Sequence, residues 1–251
     1  MTEILLNGYL GKMGRVITAA VAERTDCKIV AGVDYTKTDE SFPFPVYQSY
    51  DEVLETPDVI IDFSNPAALA GVLKFALGKK VPAVICTTGL TETQIDEINA
   101  ASEIVPIFFS ANMSIGVNLI CELAKKAATF LYPEYNIEII EQHHNQKVDA
   151  PSGTALMIAN EIASVLPEKV NYEYNRQPKR EKRPVDEIGI HSVRGGTIVG
   201  EHEVIFAGKD EIIKVSHSAM SKEIFATGAI NAGIFLVNKA PGLYSMKEML
   251  A

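Results

Sequence analysis

The chain lacks any apolar run long enough to span a bilayer, has few cysteines and carries no excess of positive charge. Each absence excludes something. Cys27, Cys86 and Cys121 are odd in number and widely spaced, which argues against a disulfide framework or a zinc site and for reduced thiols. No metal is expected. The formal net charge of −9 argues against nucleic acid or an anionic membrane held by the field of the whole protein, while leaving room for a local basic pocket. Met1-Thr2-Glu3 leads straight into an apolar segment, without the basic and apolar regions of a secretory signal. A cytoplasmic protein with no nucleic-acid and no membrane partner is the expectation. Internal repeats and low-complexity segments are missing too.

What is present suits a packed core. Of 251 residues, 47% are hydrophobic and 22% charged, enough for one large or two smaller domains. One basic cluster stands out, with Arg176, Lys179, Arg180, Lys182 and Arg183 interrupted by Pro178, Glu181 and Pro184. Its composition predicts a solvated loop rather than a binding patch.

The first half alternates strand-like and helix-like segments. Ile4-Leu5-Leu6 runs into Gly8-Tyr9-Leu10-Gly11-Lys12-Met13-Gly14, and a helical pattern follows from Arg15 to about Arg24. A second apolar run, Ile29 to Val33, ends in Asp34, twenty positions after Gly14. Strand, glycine turn, helix, strand and acidic residue in this order meet the context test for a dinucleotide-binding turn, although the spacing is G-x-x-G-x-x-G. Glycines allow backbone to approach a pyrophosphate, whose charge suits a helix N-terminus. Further units follow: a strand at Val59–Ser64, a helix at Pro66–Gly78, a strand at Val81–Cys86, a helix capped by Thr91 and a strand at Val105–Phe109. Such alternation predicts a doubly wound parallel sheet of Rossmann type. Ligands of these sheets lie beyond the carboxyl ends of the strands, where Thr87, Thr88 and Asn112 would sit.

In the second half Ile137 to Glu141 alternates apolar and acidic residues, and His143, His144 and Lys147 follow. Pro151-Ser152-Gly153-Thr154 then opens a helical apolar pattern. A strand, a loop with two imidazoles and an ammonium, and a helix N-terminus together outline a pocket for an anionic substrate. Strand-like runs at Glu187–Val193, Thr197–Phe206 and Glu211–Ser218 suggest a smaller α+β domain with an open mixed sheet. His191, His202 and His217 alternate with apolar residues there and are read as structural or interfacial. From about Lys222 the pattern is helical again.

The run H-H-x-x-K-x-D-x-P-S-G-T-A, residues 143–155, closely resembles the signature of the 4-hydroxy-tetrahydrodipicolinate reductase (dihydrodipicolinate reductase) family. The glycine turn ending in Met13-Gly14 resembles the variant this family carries, and the resemblance covers nearly the whole chain. It implies NAD(P)H-dependent reduction of a cyclic dicarboxylate, made from pyruvate and aspartate semialdehyde, in the diaminopimelate route to lysine. It implies His143 as general acid, with Lys147 sharing in catalysis or in binding. His144, Lys147, Ser152, Gly153 and Thr154 would hold the carboxylates, and Asp149 would fix the loop.

For the cofactor the resemblance implies contacts from Gly8, Leu10, Gly11, Lys12, Met13, Gly14 and Asp34. Two further loops would contribute, Cys86-Thr87-Thr88 and Ser110-Ala111-Asn112-Met113. Many relatives have Gly at Cys86, Phe at Met113 and Arg at Lys222. Some have Arg where this chain has Tyr35. Asp34 favours a ribose 2′-OH over a 2′-phosphate, while Lys12 and Lys37 could neutralise the phosphate. Both cofactors are therefore expected to work, with NADH favoured. The family also implies a homotetramer built through the substrate domains, and a chain end that returns to the cofactor domain. The boundaries this suggests are 1–114 with 221–251 for dinucleotide binding, and 115–220 for substrate binding and oligomerisation. Two rivals stand beside this reading: a dehydrogenase of the same fold acting on another small imine or keto acid, and a non-catalytic NAD(H) sensor.

Overall fold

The structure is a computed structural model and describes residues 1–110 and 112–250. The chain divides into two compact units, Met1–Ile115 with Lys222–Ala251, and Gly116–Ser221. The first unit contains strands β1 (Thr2–Asn7), β2 (Cys27–Val33), β3 (Val46–Tyr47), β4 (Val59–Asp62), β5 (Ala83–Ile85) and β6 (Pro106–Phe109). Helices α1 (Lys12–Ala22), α2 (Leu69–Lys79) and α3 (Glu92–Ser102) alternate with them. Helix α4 (Ile115–Leu131) leads into the second unit, with β7 (Asn136–His143), α5 (Gly153–Ala163), β8 (Asn171–Glu173), β9 (Glu187–Arg194), β10 (Gly200–Ala207) and β11 (Ile212–Ala219). The chain then returns to the first unit as α6 (Glu223–Leu236), β12 (Gly242–Tyr244) and α7 (Met246–Leu250). No helix among the described residues is long and apolar enough to cross a membrane.

The first sheet has seven parallel strands in the order β12-β6-β5-β4-β1-β2-β3. Strand order reverses at β1, which pairs with β2 on one side and β4 on the other. The crevice beyond the carboxyl ends of β1 and β4 is therefore the switch point of a Rossmann-type sheet. Both faces are covered because successive side chains of a strand point to opposite sides. Ile4 and Leu6 of β1 pack with Ile17 and Val21 of α1 and with Ala229 and Ile230 of α6. Leu5 packs with Leu69 and Val72 of α2 and with Ile98 of α3. Each fully buried Ile or Leu contributes roughly 1.5–3 kcal/mol to holding this double layer together.

Helix α3 starts where its cap demands. Thr91 Oγ1 accepts the Gln94 N–H, and the Gln94 carboxamide oxygen accepts the Thr91 N–H at 3.0 Å. Helix α6 lies against the backbone after β6, for a Cβ on Gly228 would fall 1.7 Å from the Met113 carbonyl oxygen. Only glycine lets the helix approach so closely.

The second sheet is mixed, in the order β11-β10-β7-β9-β8, with β10 antiparallel to its neighbours and β7, β9 and β8 parallel. One face carries Ile137, Ile139, Ile188, Ile190, Val204 and Phe206, packed against Ala124 and Ala128 of α4 and Ala155, Ile158 and Ile162 of α5. The opposite face presents Ile140, Val193, Ile205 and Ile212 without a helix over them in this unit.

Several elements differ from the sequence reading. The apolar run Val81–Cys86 narrows to a three-residue strand, and the segment from Thr197 pairs only from Gly200 onward. Strands β3, β8 and β12 are two or three residues long, too short for a periodic signal. The basic cluster lies in a largely exposed loop, as its composition predicts, and three of its residues anchor that loop. Arg176 donates to both oxygens of the buried Glu187, Lys179 pairs with Glu173, and Arg183 donates to Glu138 at 2.9 Å. A buried carboxylate requires such partners, and here three basic residues serve this sheet edge.

Candidate functional site

In the first unit the glycine turn does three jobs. Gly8 has φ +79°, a left-handed conformation that disfavours a side chain, and a Cβ there would lie 2.5 Å from the Phe63 carbonyl oxygen. Gly14 lets α1 pack on the turn, since its Cβ would meet the Gly8 carbonyl oxygen at 2.3 Å. Gly11 is the exposed N-cap of α1, with no side chain capping the helix. The first N–H groups of α1 are therefore left to an outside acceptor, the arrangement that binds a pyrophosphate. A cleft lined by Asn7, Gly8, Gly11, Asp34, Tyr35 and Ser64 opens beside the turn. Asp34 stands at the carboxyl end of β2, half-buried, and one carboxylate oxygen accepts the Thr36 N–H at 3.0 Å. Its other oxygen makes no hydrogen bond among the described residues. Lys12 and Lys37 are exposed and make no ion pair among the described residues. These residues fit a dinucleotide.

The remaining residues expected at the cofactor are less uniform. Leu10 and Met13 pack against the core beneath the turn. Thr88 is exposed, whereas Cys86 and Thr87 are buried after β5. The Thr87 hydroxyl donates to Asp62 at 2.7 Å and accepts the Ser64 N–H at 3.3 Å, so it is already engaged within the fold. Ser110 Oγ donates to the Asn112 carbonyl, and the Asn112 side chain accepts the Ser114 N–H at 2.8 Å. The Met113 side chain belongs to the hydrophobic core. Ala111 lies outside the described residues. Lys222, exposed, is the N-cap of α6.

Sequence reasoning missed the group that organises these loops. Asp62, fully buried at the end of β4, accepts hydrogen bonds from Asn7, Ser64 and Thr87 at 2.7, 2.5 and 2.7 Å. Burial raises its pKa against the pull of these three donors. The network ties together the ends of β1, β4 and β5, all of which face the crevice. Its members are 55 and 25 residues apart in the chain, too far for any local pattern.

In the second unit the sheet register assembles the other cluster. His143 pairs with Arg194 across β7 and β9, while His202 of β10 pairs with Glu141 on one side and His217 on the other. Glu141, His143, Arg194 and His202 therefore project from the helix-covered face at one end of the sheet. The Glu141 carboxylate is fully buried and satisfied from several sides. It accepts from both terminal nitrogens of Arg194 at 2.8 and 2.7 Å, from His143 Nδ1 at 2.6 Å and from the Ser152 N–H at 3.0 Å. Burial alone would raise its pKa, but Arg194, Ser192, His143 and the Ser152 N–H outweigh burial and hold it at about 2.

Because Glu141 accepts at Nδ1, His143 carries its proton there and leaves Nε2 for a ligand. Gly200 gives that nitrogen room, for a Cβ would stand 3.1 Å from it. Burial lowers the His143 pKa, opposed by Glu141 and reinforced by Lys147 and Arg194. Lys147 pairs with Asp149 at 2.9 Å, which lowers the Asp149 pKa. Ser152 caps α5 by accepting the Ala155 N–H at 3.1 Å. Gly153 is exposed, and a Cβ on it would touch nothing within 4 Å, so the helix start opens onto free space. Thr154 lies beside it in the first turn, partly buried. His144 is partly buried, and its Nδ1 has no protein partner among the described residues.

The structure thus gathers His143 and Ser152 around one carboxylate, sets Lys147 close enough to act on the His143 charge, and adds two residues the sequence reading did not include, Glu141 and Arg194. It also moves His202 next to the proposed acid. The two rings are 5.3 Å apart, and His202 Nε2 shares a hydrogen bond with the Ser152 hydroxyl. His217 lies one strand further out, with burial lowering its pKa. Chemically, the cluster offers a proton carrier, an ammonium and a helix N-terminus, a set suited to a substrate that carries carboxylates and takes up a proton.

The comparisons with known proteins cover the same ground. The model described as dihydrodipicolinate reductase, N-terminus, matches residues 2–113, and that described as dihydrodipicolinate reductase, C-terminus, matches residues 116–250. The 4-hydroxy-tetrahydrodipicolinate reductase of Caldanaerobacter subterraneus subsp. tengcongensis is 50% identical over 250 residues, covering 100% of this chain and 98% of the relative. That of Clostridium novyi is 48% identical, with the same coverage. Among solved structures, a dipicolinate-bound dihydrodipicolinate reductase from Paenisporosarcina sp. TG-14 matches with a TM-score of 0.83 and 28% identity, each chain covered in full. With both halves matched and half of all positions shared with a full-length relative, the chain belongs to the dihydrodipicolinate reductase family.

Proposed function

We propose that this chain reduces 4-hydroxy-tetrahydrodipicolinate to tetrahydrodipicolinate with NADH or NADPH, in the diaminopimelate route to lysine. The single observation that carries the reading is the His143 cluster. It is an imidazole whose Nε2 has no hydrogen-bond partner among the described residues, beside a lysine and an open helix start, in a chain of this family. Loss of water from the substrate leaves an unsaturated ring, to which one hydride and one proton are added. The bound reduced nicotinamide supplies the hydride. His143 takes up a second proton at Nε2 from solvent and delivers that proton to the ring, returning to the neutral Nδ1–H form. Lys147 and His144, together with the Ser152–Thr154 helix start, bind the two carboxylates, and Lys147 also meets charge developing on the ring nitrogen.

In the first unit, the cofactor-domain residues would hold the dinucleotide. The α1 N-terminus takes the pyrophosphate through Gly8, Gly11, Lys12 and Gly14, with Leu10 and Met13 shaping the turn. Asp34 takes the ribose, which favours NADH while leaving NADPH usable. Cys86, Thr87 and Thr88, with Ser110, Asn112 and Met113, line the nicotinamide end, Thr87 and Met113 by shaping the backbone around it. The second unit would serve substrate binding and oligomerisation. A cytoplasmic homotetramer built on its helix-free sheet face is the assembly we infer, supported by the 62% exposure of Ile212 and 43% of Val193 on that face.

The test is loss of reduced-nicotinamide absorbance in a coupled assay. The substrate is generated in place from pyruvate and aspartate semialdehyde by the preceding synthase, with NADH and NADPH run in parallel. Oxidation that depends on the synthase is the expected result. No oxidation from folded, cofactor-bound protein would leave the His143 cluster as a pocket for a different anion.

A further inference from the structure

Glu141 is a fully buried carboxylate in the second unit, and its bonds reach His143, the start of α5 and Arg194. It accepts from His143 Nδ1, the proposed acid, and from the Ser152 N–H at the helix start. Its guanidinium partner, Arg194, also donates to the Asp149 carbonyl at 2.6 Å, in the loop that carries Lys147. A carboxylate with these partners is anchored on several sides and cannot rotate without breaking hydrogen bonds in a buried place. We infer that Glu141 and Arg194 form a positioning pair: the carboxylate holds His143 with its proton on Nδ1 and Nε2 free to act, and the guanidinium restrains how strongly that carboxylate attracts a second proton.

The physical case rests on opposing charges in one buried cluster. An imidazole next to an unopposed buried carboxylate would form a tight imidazolium–carboxylate pair and release its proton reluctantly. Arg194 spends both terminal nitrogens on that carboxylate, so His143 faces an ion pair rather than a bare anion. The other groups facing the ring act in one direction. Lys147 from the loop disfavours its protonation, and His202 from β10 is itself kept neutral. Among these groups Glu141 alone favours the imidazolium, and Arg194 is its direct partner. An acid held by such opposed charges gives up its proton more readily than one paired with a bare carboxylate.

The inference rests on the reading of His143 as the acid, and its test separates the two. The ring nitrogens of His143 are followed by NMR through a pH titration in wild-type protein, in Glu141→Gln and in Arg194→Gln. Steady-state pH profiles are taken on the same three proteins. Wild type is expected as the Nδ1–H tautomer. Removing the carboxylate charge should lower the titration midpoint, and removing the guanidinium should raise it, each by about half a pH unit or more. In Glu141→Gln kcat should fall about tenfold or more, beyond any change in KM.

Opposite shifts are the signature that general damage to the fold would not produce. Shifts in the same direction, or none, would overturn the positioning role, as would an Nε2–H tautomer in the wild type, a result that needs no variant to fold. Opposite shifts with unchanged kcat would uphold the positioning pair and overturn the assignment of His143 as the acid.

Discussion

The Ser152 hydroxyl lies 2.9 Å from His202 Nε2 while it accepts the Ala155 N–H at 3.1 Å, so one oxygen joins the start of α5 to β10. That bond ties an imidazole into the interior. Burial, followed by the neighbouring His143, lowers the His202 pKa from 6.5 to about 4.

A pH dependence of stability follows from this depressed value. Above pH 6.5 His202 is neutral whether the chain is folded or not, and it makes no difference. Between 6.5 and about 4 the unfolded chain takes up a proton that the folded one refuses, so stability is lost as acid is added. The loss attributable to His202 approaches about 3 kcal/mol at the acid end. His202→Gln, which keeps a hydrogen-bonding group, should flatten the slope of denaturant stability between pH 6.5 and 4.5. It should not abolish the slope, because His143 and His217 are shifted the same way. An unchanged slope would assign the acid sensitivity elsewhere.

His143→Gln should reduce kcat by roughly a hundredfold or more, the scale of a lost general acid, with a smaller change in KM. Lys147→Ala should impair both constants, because an ammonium that binds a carboxylate and meets developing charge acts in both states. Wild-type rates from either variant would remove that residue from the mechanism.

Two glycines make a contrasting pair. At Gly14 a methyl group would press into the backbone of Gly8 and Tyr9, so Gly14→Ala should cost on the order of 1–3 kcal/mol and weaken cofactor binding. At Gly153 a methyl group would meet nothing, so Gly153→Ala should leave the melting temperature unchanged. A substrate carboxylate on this helix start would nonetheless feel the methyl, and KM should rise. Thermal melts beside substrate titrations read both effects, and an unaffected KM would place the carboxylate elsewhere.

Asp34→Asn should move the ratio of kcat/KM for NADPH over NADH upward by about tenfold or more, since a charge-assisted hydrogen bond to the ribose is weakened and repulsion of a 2′-phosphate removed. A ratio that stays put would mean that Asp34 serves only its turn to Thr36.

Local features of this chain were legible because their causes are local. The Gly8–Gly14 turn follows a strand and opens a helix, and the constraint lies in backbone approach that only glycine permits. Thr91 announces α3 through a partner three residues on, and Ser152 announces α5 in the same way. The alternation around Ile137 anticipates β7, whose apolar residues face α4 and α5. Short strands escaped notice because two or three residues carry no period.

The basic cluster near Arg176 is a largely exposed loop, as its composition predicts, but its anchoring was not legible. Its composition is that of a solvated loop, and its partner Glu187 lies in a strand the sequence does not mark as a carboxylate site. For His202, alternation with apolar residues says only that the side chain faces inward, and its partner Ser152, 50 residues away, is set by the tertiary structure.

By itself, then, the chain determined its elements, its glycine turn, its histidine–lysine loop and the family those motifs mark, because each depends on neighbours within a turn or two. The tertiary structure alone decided that Asp62 would gather Asn7, Ser64 and Thr87, and that Arg194 would reach Glu141 from 53 residues away. Both depend on strand register. Slipping β9 by one residue against β7 would turn Arg194 to the opposite face and leave Glu141 buried without its charge partner. Sequence spacing carries no record of such a register, which is selected by the packing of the whole sheet against its helices.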